Sequence, residues 1–207
     1  MEHPNIKIIE GKFPVLISAP HAVPLLKEDK EGPYTKFEKR VSEIVEVLCD
    51  EIGVWGIFTQ LETGESILEN WDKKVYRVYK KFVREIVKEN NISLVLDVHG
   101  SKHSRPFLID YDFIFPQTHK HDQALEELLL KSFESFFLKE DVSKGFFRSV
   151  KGPGSKTLTY HVRRNLDIPA VQLELNEEVR QNEKHFANLI LALSRVIKKY
   201  ENITTGI

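Results

Sequence analysis

Two histidines and a glutamate stand at the ends of, or inside, short apolar runs of this sequence. The segments that hold them are Ser18-Ala19-Pro20-His21, Asp97-Val98-His99-Gly100-Ser101 and Gln172-Leu173-Glu174-Leu175-Asn176. Two histidines that converge with a carboxylate form the ligand set of a catalytic zinc site, which keeps one coordination position open for water. A histidine at the end of a single strand is more typical of a capping or packing residue. The hypothesis of a metal site therefore depends on the three segments meeting at one edge of the fold.

Two carboxylates belong to these segments. Glu174 lies between Leu173 and Leu175, so we expect its side chain to be largely withdrawn from water. An unpaired buried carboxylate is costly and tends to take up a proton, whereas a nearby divalent ion or a buried arginine would offset that cost. A raised pKa would suit a general base that later acts as an acid. Asp97 either points inward beside His99 or orients an imidazole through a hydrogen bond.

The periodicity of apolar residues predicts the elements that position these segments. Short apolar runs predict strands over 13–18, 54–59, 92–98 and 169–175, with one or two more within 105–115. Apolar stripes at helical spacing predict helices over 36–52, from Trp71 to the Asn90-Asn91 pair, and over 122–138, 155–165 and 183–200. This alternation favours an α/β three-layer sandwich with a mainly parallel, mixed central sheet. No repeat or linker interrupts it, so we expect a single catalytic domain over residues 1–207.

The placement of His21 and His99 matters within that fold, because ligands of open α/β sheets bind beyond the carboxyl ends of the strands. His21 follows the first predicted strand and His99 follows the central one. Parallel strands would bring both imidazoles to the same edge of the sheet.

Composition excludes some classes of function. The 207 residues contain 30 Lys and Arg against 31 Asp and Glu, so there is no basic surplus for nucleic-acid binding or for a polybasic membrane anchor. No apolar run approaches the roughly 20 residues that span a bilayer, and the first residues lack the features of a signal peptide. Cys49 is the only cysteine, which favours a reducing compartment. We therefore expect a cytoplasmic protein with neither a nucleic-acid nor a membrane partner.

In chain order, the three segments resemble the N-formylglutamate amidohydrolase family, metal-dependent hydrolases related in fold to zinc carboxypeptidases and aspartoacylase. The resemblance covers most of the chain. It implies a zinc-carboxypeptidase-like (phosphorylase/hydrolase-like) fold and one Zn²⁺ per chain, with another divalent ion as an alternative. It also implies that His21 and His99 are zinc ligands and that Glu174 is the general base and acid.

The third metal ligand does not follow from the resemblance. The carboxypeptidase-type pattern has a glutamate three residues after the first histidine, but Pro24 occupies that position here. Glu65 is our preferred candidate because it lies in the loop after a predicted strand. Glu38, near the start of the first long predicted helix, is the alternative.

Substrate recognition falls to the cations and polar residues near the three segments. Arginine binds carboxylates through two parallel hydrogen bonds, so a small substrate that carries a carboxylate is expected. Arg105 is the candidate catalytic cation, and Arg180 and Arg164 are candidates for substrate binding, although most arginines are solvated surface residues. His103 either lines the cavity or faces solvent, and Asn176 either orients substrate or caps its strand.

The activity that these features predict is metal-dependent hydrolysis of the amide of a small N-acyl amino acid, such as an N-formyl one, or a related compound. One alternative is a carboxypeptidase-like peptidase. The other is a non-catalytic protein of the same fold that binds a small anion.

Overall fold

The computed structural model describes residues 1–29, 31–69, 71–114, 119–147 and 157–205. Nine strands lie in these ranges: β1 (Ile6–Ile9), β2 (Phe13–Ala19), β3 (Leu25–Asp29), β4 (Gly32–Lys36), β5 (Val54–Thr59), β6 (Leu94–Ser101), β7 (Ile109–Asp112), β8 (Val142–Lys144) and β9 (Ala170–Asn176). Seven of them pair in the order β1-β5-β2-β6-β9-β7-β8, and β3 and β4 form a separate hairpin. The four central strands β5, β2, β6 and β9 are parallel, whereas β1 and β7 run antiparallel to their inner neighbours. The predicted mainly parallel, mixed sheet is confirmed.

Helices cover both faces of this sheet. Within the described residues they are α1 (Val41–Ile52), α2 (Tyr76–Glu89), α3 (Asp122–Glu134), α4 (Leu158–Asn165), α5 (Glu177–Gln181) and α6 (Glu183–Thr205), and a π-helical turn over Trp71–Val75 precedes α2. One apolar core joins α1, α3 and α6 to one face of the sheet, and a second core joins α2 and α4 to the other. The three-layer arrangement is therefore confirmed. No helix in the described ranges has the length and apolar character needed to cross a membrane.

The alternation of side chains along the strands decides which residues share a face. Val15 and Ile17 pack in the core of α1 and α6, while Leu16 between them packs in the core of α2. By the same period of two, Ser18, Asp97 and Glu174 lie on the face that α2 and α4 cover. Strand pairing places Ser18 opposite Asp97, and His99 opposite Glu174. The polar residues of the three segments thus meet on one face, near the carboxyl edge of the sheet.

The first long helix begins later than its apolar stripe predicts. The helix predicted from Lys36 starts at Val41, because the residues up to Lys36 are strand β4 and pair with β3. Phe37, which fits the helical stripe, is 44% exposed, and Arg40 adopts a left-handed conformation with φ 63° immediately before the helix. Residues 37–40 therefore form a connection between the hairpin and α1, and this connection carries Glu38.

Two other helices are shorter than predicted. The helix predicted over 122–138 ends at Glu134, and Leu138 is largely exposed. The helix predicted over 155–165 begins at Leu158, where the Oγ1 of Thr157 accepts a hydrogen bond from the backbone N–H of Tyr160. Residues 155 and 156 lie outside the described ranges.

Candidate metal centre

Three side chains from different elements converge at the carboxyl edge of the sheet. His21 follows β2, Glu38 lies in the connection before α1, and His99 lies in β6, and one ligand atom of each is within 4.8 Å of the others. The Nδ1 of His21 is 2.9 Å from Oε1 of Glu38 and 3.2 Å from Nδ1 of His99. Nδ1 of His99 is 3.5 Å from Oε2 of Glu38. Two nitrogens and one oxygen with this separation form a donor set that suits zinc.

Glu38 is fixed in this cluster by its own backbone and by its neighbours. Its backbone N–H donates to the carbonyl of His21 at 3.2 Å, and the N–H of Gly100 donates to its Oε2 at 3.0 Å. The side chain is only 3% exposed, and burial alone would raise the pKa of this carboxyl. Interactions with His21 and with the positive charges of Lys36 and His99 outweigh burial and hold the pKa of Glu38 well below its usual range. Glu38 is therefore a carboxylate and available as a ligand.

A buried carboxylate orients His99. Nε2 of His99 donates to Oδ2 of Asp97 at 3.1 Å, which leaves Nδ1 facing the cluster. Asp97 is fully buried, and it also accepts hydrogen bonds from Ser18 Oγ at 3.0 Å and from Thr159 Oγ1 at 3.2 Å. Of the two roles that the sequence left open for Asp97, the structure shows the orienting one. Such carboxylate–histidine pairs fix the tautomer and raise the basicity of metal-ligating imidazoles.

The two imidazoles have opposite pKa shifts. Burial lowers the pKa of His21 to about 4, with Lys36 and His99 adding to the effect and Glu38 opposing it. Burial would also lower the pKa of His99, but the carboxylates of Asp97 and Glu38 outweigh it and raise the value to about 10. Two carboxylates thus face two positive charges, those of Lys36 and of protonated His99. A divalent ion carries the same charge as that pair, so the electrostatics of the site fit one.

A cavity of about 470 Å³ adjoins the cluster. Glu38, Gly100 and Glu174 contribute to its wall, so the carboxyl group predicted as the general base faces the same space as the candidate ligands. Oε1 of Glu174 accepts a hydrogen bond from Nε2 of Gln172 at 2.7 Å. Burial raises the pKa of Glu174, although the charge of His99 acts against this shift. Glu174 therefore has the tendency to hold a proton that the sequence predicted.

The three candidate arginines have different environments. Arg105 lines the cavity, and its guanidinium lies 5.0 Å from the centre of the Phe147 ring. Arg180 also lines the cavity, but its guanidinium donates to the backbone carbonyls of Leu175, Ser101 and Lys39. These bonds make Arg180 a brace between the strands β6 and β9 and the connection before α1. Arg164 is exposed on α4 and is not among the residues that line this cavity.

Asn176 holds a loop in place. Its Nδ2 donates to the carbonyls of His103, Arg105 and Phe107, at 2.9 Å for Phe107, and its Oδ1 accepts from the N–H of Glu178 at the start of α5. All of these partners are backbone groups, which corresponds to the capping alternative for Asn176. The side chain of His103 is exposed, and within the described residues His103 is absent from the cavity wall.

The structure corrects the preference for Glu65 as the third ligand. Glu65 is exposed, and its Oε2 accepts hydrogen bonds from Nδ2 of Asn5 at 2.7 Å and from the N–H of Glu62 at 3.0 Å, outside the cluster. The alternative, Glu38, occupies the third position instead. The physical reason is the late start of α1, which leaves Glu38 on a connection that bonds directly to His21.

Sequence reasoning also missed Lys36. Its Nζ lies 2.7 Å from Oε1 of Glu38 and 2.9 Å from Nδ1 of His21. The available signal is the spacing of two between Lys36 and Glu38, which directs both side chains to one side of an extended segment. The apolar stripe that predicted a helix here conceals that signal.

Comparisons of the whole structure identify proteins with the same fold. The gene product Atu2144 from Agrobacterium tumefaciens is 14% identical, with a TM-score of 0.69 and coverage of 98% of this chain and 97% of that one. An N-formylglutamate amidohydrolase from Ralstonia eutropha is 12% identical, with a TM-score of 0.66 and coverage of 99% and 100%. A metallo-carboxypeptidase from Burkholderia cenocepacia is 11% identical, with a TM-score of 0.52 and coverage of 100% and 67%.

No protein-family model matches the sequence, and no curated protein is significantly similar to it. At these identities the structural matches establish the fold alone. The chain therefore has the fold of an N-formylglutamate amidohydrolase, as the resemblance of its three segments predicted.

Proposed function

We propose that this protein is a metal-dependent amidohydrolase that cleaves the amide bond of a small N-acyl amino acid or a related compound. The observation that carries the proposal is the convergence of His21, Glu38 and His99 beside a cavity that also contains Glu174. The fold that this chain shares with an N-formylglutamate amidohydrolase supports amide hydrolysis as its reaction class. The metal is zinc or a similar divalent ion, held by the three converging side chains.

Each residue of the site has a defined part in this reaction. A divalent ion bound there would act as a Lewis acid and make water a nucleophile near neutral pH. Free water, with a pKa of about 15.7, is too weak an acid for that. Glu174 accepts the proton of the attacking water as the carbon–oxygen bond forms. Glu174 then gives that proton to the amide nitrogen as the carbon–nitrogen bond breaks. Asp97 keeps Nδ1 of His99 directed at the metal position throughout.

The charge of the cavity supports an anionic substrate. Five cationic residues contribute to its wall: Lys36, Lys39, Lys102, Arg105 and Arg180. Three acidic residues do so: Glu38, Glu174 and Glu177. Arg105 is the candidate for contact with the carboxylate or the developing oxyanion, because Arg180 already donates to three backbone carbonyls.

Metal content tests the first half of the proposal. We expect about one zinc per purified chain, lost in His99→Ala and in Glu38→Gln, because each removes one of three ligands. Glu65→Gln is the matched control, since it removes a nearby carboxylate outside the cluster and is expected to retain the metal. Equal metal content in all four proteins would contradict the assignment.

Turnover tests the second half. A panel of N-formyl amino acids, N-acetyl amino acids and short peptides separates an amidohydrolase from a carboxypeptidase-like peptidase. Glu174→Gln is expected to keep the metal and to lose turnover, because the amide cannot accept the proton of water. Retained activity in that variant would overturn the role of Glu174. An anion that binds without turnover of any substrate on the panel would favour the non-catalytic alternative.

A further inference from the structure

The ammonium group of Lys36 lies among the candidate metal ligands. Lys36 is the last residue of β4, and its Nζ is 2.7 Å from Oε1 of Glu38 and 2.9 Å from Nδ1 of His21. Both distances are those of hydrogen bonds, and both involve atoms of the candidate metal ligands. The lysine side chain is 35% exposed and lines the cavity, so it reaches the cluster from the solvent side.

A metal ion and this ammonium group require the same lone pair. An ammonium group has donors and no acceptor, so its hydrogen bond to Oε1 of Glu38 uses a lone pair that this oxygen would offer to a metal. In the tautomer of His21 whose Nδ1 is unprotonated, the contact with Lys36 occupies the ligand lone pair of that nitrogen as well. Zinc bonds to nitrogen and oxygen are about 2.0–2.2 Å long, so a metal shared by His21 and Glu38 would also lie close to the ammonium. Like charges at that separation repel strongly in a site with little solvent.

We propose that Lys36 is an internal cation that occupies the ligand set of His21 and Glu38 and must leave it before a divalent ion binds. This inference rests on the metal site of the proposed function. Lys36 consequently lowers the affinity of the site for metal and stabilises the metal-free protein by neutralising the buried carboxylate of Glu38. Its flexible stem and partial exposure give it a route out of the cluster toward the cavity and solvent.

The test compares Lys36→Met with Lys39→Met. Methionine keeps an unbranched apolar stem and removes the charge and the donors. Lys39 is exposed and lines the same cavity, but it is not one of the candidate metal ligands. Its substitution therefore removes an equal charge from the same surroundings. Lys36→Gln is a second variant that keeps a polar end group at the hairpin.

Two measurements are made on each metal-stripped full-length variant. Zn²⁺ affinity is measured by competition with a chromophoric chelator, and the melting temperature is measured by circular dichroism without metal. We expect Lys36→Met and Lys36→Gln to bind Zn²⁺ at least about tenfold more tightly than wild type and to melt at a lower temperature. Lys39→Met is expected to stay within about twofold in affinity and to melt as wild type.

The outcomes separate this inference from the proposed function. Stoichiometric zinc in wild type with unchanged or weaker binding in both Lys36 variants would overturn the role of Lys36 and leave the metal site intact. A similar gain in affinity in Lys39→Met would also overturn it, because the effect would then be one of general charge. Absence of specific zinc binding in wild type and in all variants would overturn the metal site and this inference together.

Discussion

Gly100 lies between Glu38 of the candidate metal site and the guanidinium of Arg180, and its lack of a side chain permits their close approach. A Cβ added at Gly100 would lie 2.8 Å from Cζ of Arg180 and 2.9 Å from Cβ of Glu38. Carbon atoms in ordinary contact are at least about 3.4 Å apart, so Arg180 must move by about 0.6 Å (3.4 minus 2.8 Å) and Glu38 by about 0.5 Å (3.4 minus 2.9 Å). Gly100→Ala therefore tests whether the cluster depends on this close approach.

Neither neighbour of Gly100 moves without losing bonds. The guanidinium of Arg180 donates to the carbonyls of Leu175 and Ser101, both at 3.1 Å, and the carboxylate of Glu38 accepts from Gly100 itself. Overpacking of this kind costs about 1–3 kcal/mol of unfolding free energy. Metal coordination tolerates changes of only about 0.2 Å, so a displaced Glu38 should also weaken Zn²⁺ binding by at least about tenfold.

Gly56→Ala is the matched control. A Cβ at Gly56 would lie 2.6 Å from Sγ of Cys49 and 2.8 Å from Cγ1 of Val45, between β5 and α1 and outside the cluster. We expect urea denaturation to show a comparable loss of stability in both variants, and chelator competition to show weaker Zn²⁺ binding only in Gly100→Ala. Stability of Gly100→Ala within about 0.5 kcal/mol of wild type, or equal zinc binding by the two variants, would show that the cluster does not depend on this close approach.

Two further predictions concern residues that hold the structure around the site. Burial would raise the pKa of Asp122, but its hydrogen bonds to the buried guanidinium of Arg163, 2.7 and 3.1 Å long, hold that pKa below its usual value. The stability that this pair contributes is complete above the unfolded pKa of about 3.9 and is lost as pH falls through the folded pKa. Asp122→Asn should therefore cost about 3–5 kcal/mol of unfolding free energy at pH 7 and progressively less in acid. Urea denaturation from pH 7 to 3 measures this cost, and a difference that does not change with pH would contradict the prediction. Asn176→Ala should cost about 1–3 kcal/mol and accelerate amide hydrogen exchange in residues 103–108, because three backbone carbonyls lose a donor, whereas a change confined to the KM for substrate would instead indicate direct substrate contact.

The sheet and its helices were predictable because the pattern of apolar residues is local and strong. Residues 94–98 are apolar except for Asp97, and their side chains alternate between the two cores as a doubly covered strand requires. Gly53 ends α1 in a left-handed conformation with its N–H bonded to the carbonyl of Cys49, as a glycine after an apolar stripe predicts. The positions of His21, His99 and Glu174 follow from these elements, since each lies on or directly after a central parallel strand.

The third candidate ligand, Glu38, was not predictable from the same local pattern. Glu65 and Glu38 both lie in polar segments near predicted elements, and the rule that ligands bind beyond strand ends does not distinguish them. The difference arises from pairing between β3 and β4, which holds residues 32–36 extended and delays α1 to Val41. Pairing between strands depends on contacts across the chain, whereas the helical stripe from Phe37 is a local feature that points to the wrong element.

The role of a polar residue at a strand end is also ambiguous from sequence. A folded loop needs hydrogen-bond donors for its buried carbonyls as much as a substrate needs donors for its carboxylate. Arg180 and Asn176 donate to three backbone carbonyls each, so both satisfy the protein itself. Arg105 differs, since its guanidinium faces the cavity and stacks near Phe147. Sequence alone gives these three residues the same status, and only their partners separate them.

The elements that hold the cluster divide into a rigid part and an adjustable part. His99 belongs to a central strand and is oriented by the fully buried Asp97, and His21 follows the neighbouring strand. Glu38 and Lys36 come from a two-stranded hairpin and its connection, outside the central sheet. The histidines are therefore positioned by the core of the fold, whereas the candidate ligand Glu38 and the ammonium group of Lys36 are two residues apart at the end of the hairpin. A small movement of that segment changes both the third ligand and its competitor, so metal affinity in this protein should be more sensitive to substitutions in residues 32–40 than to equally destabilising substitutions in the sheet.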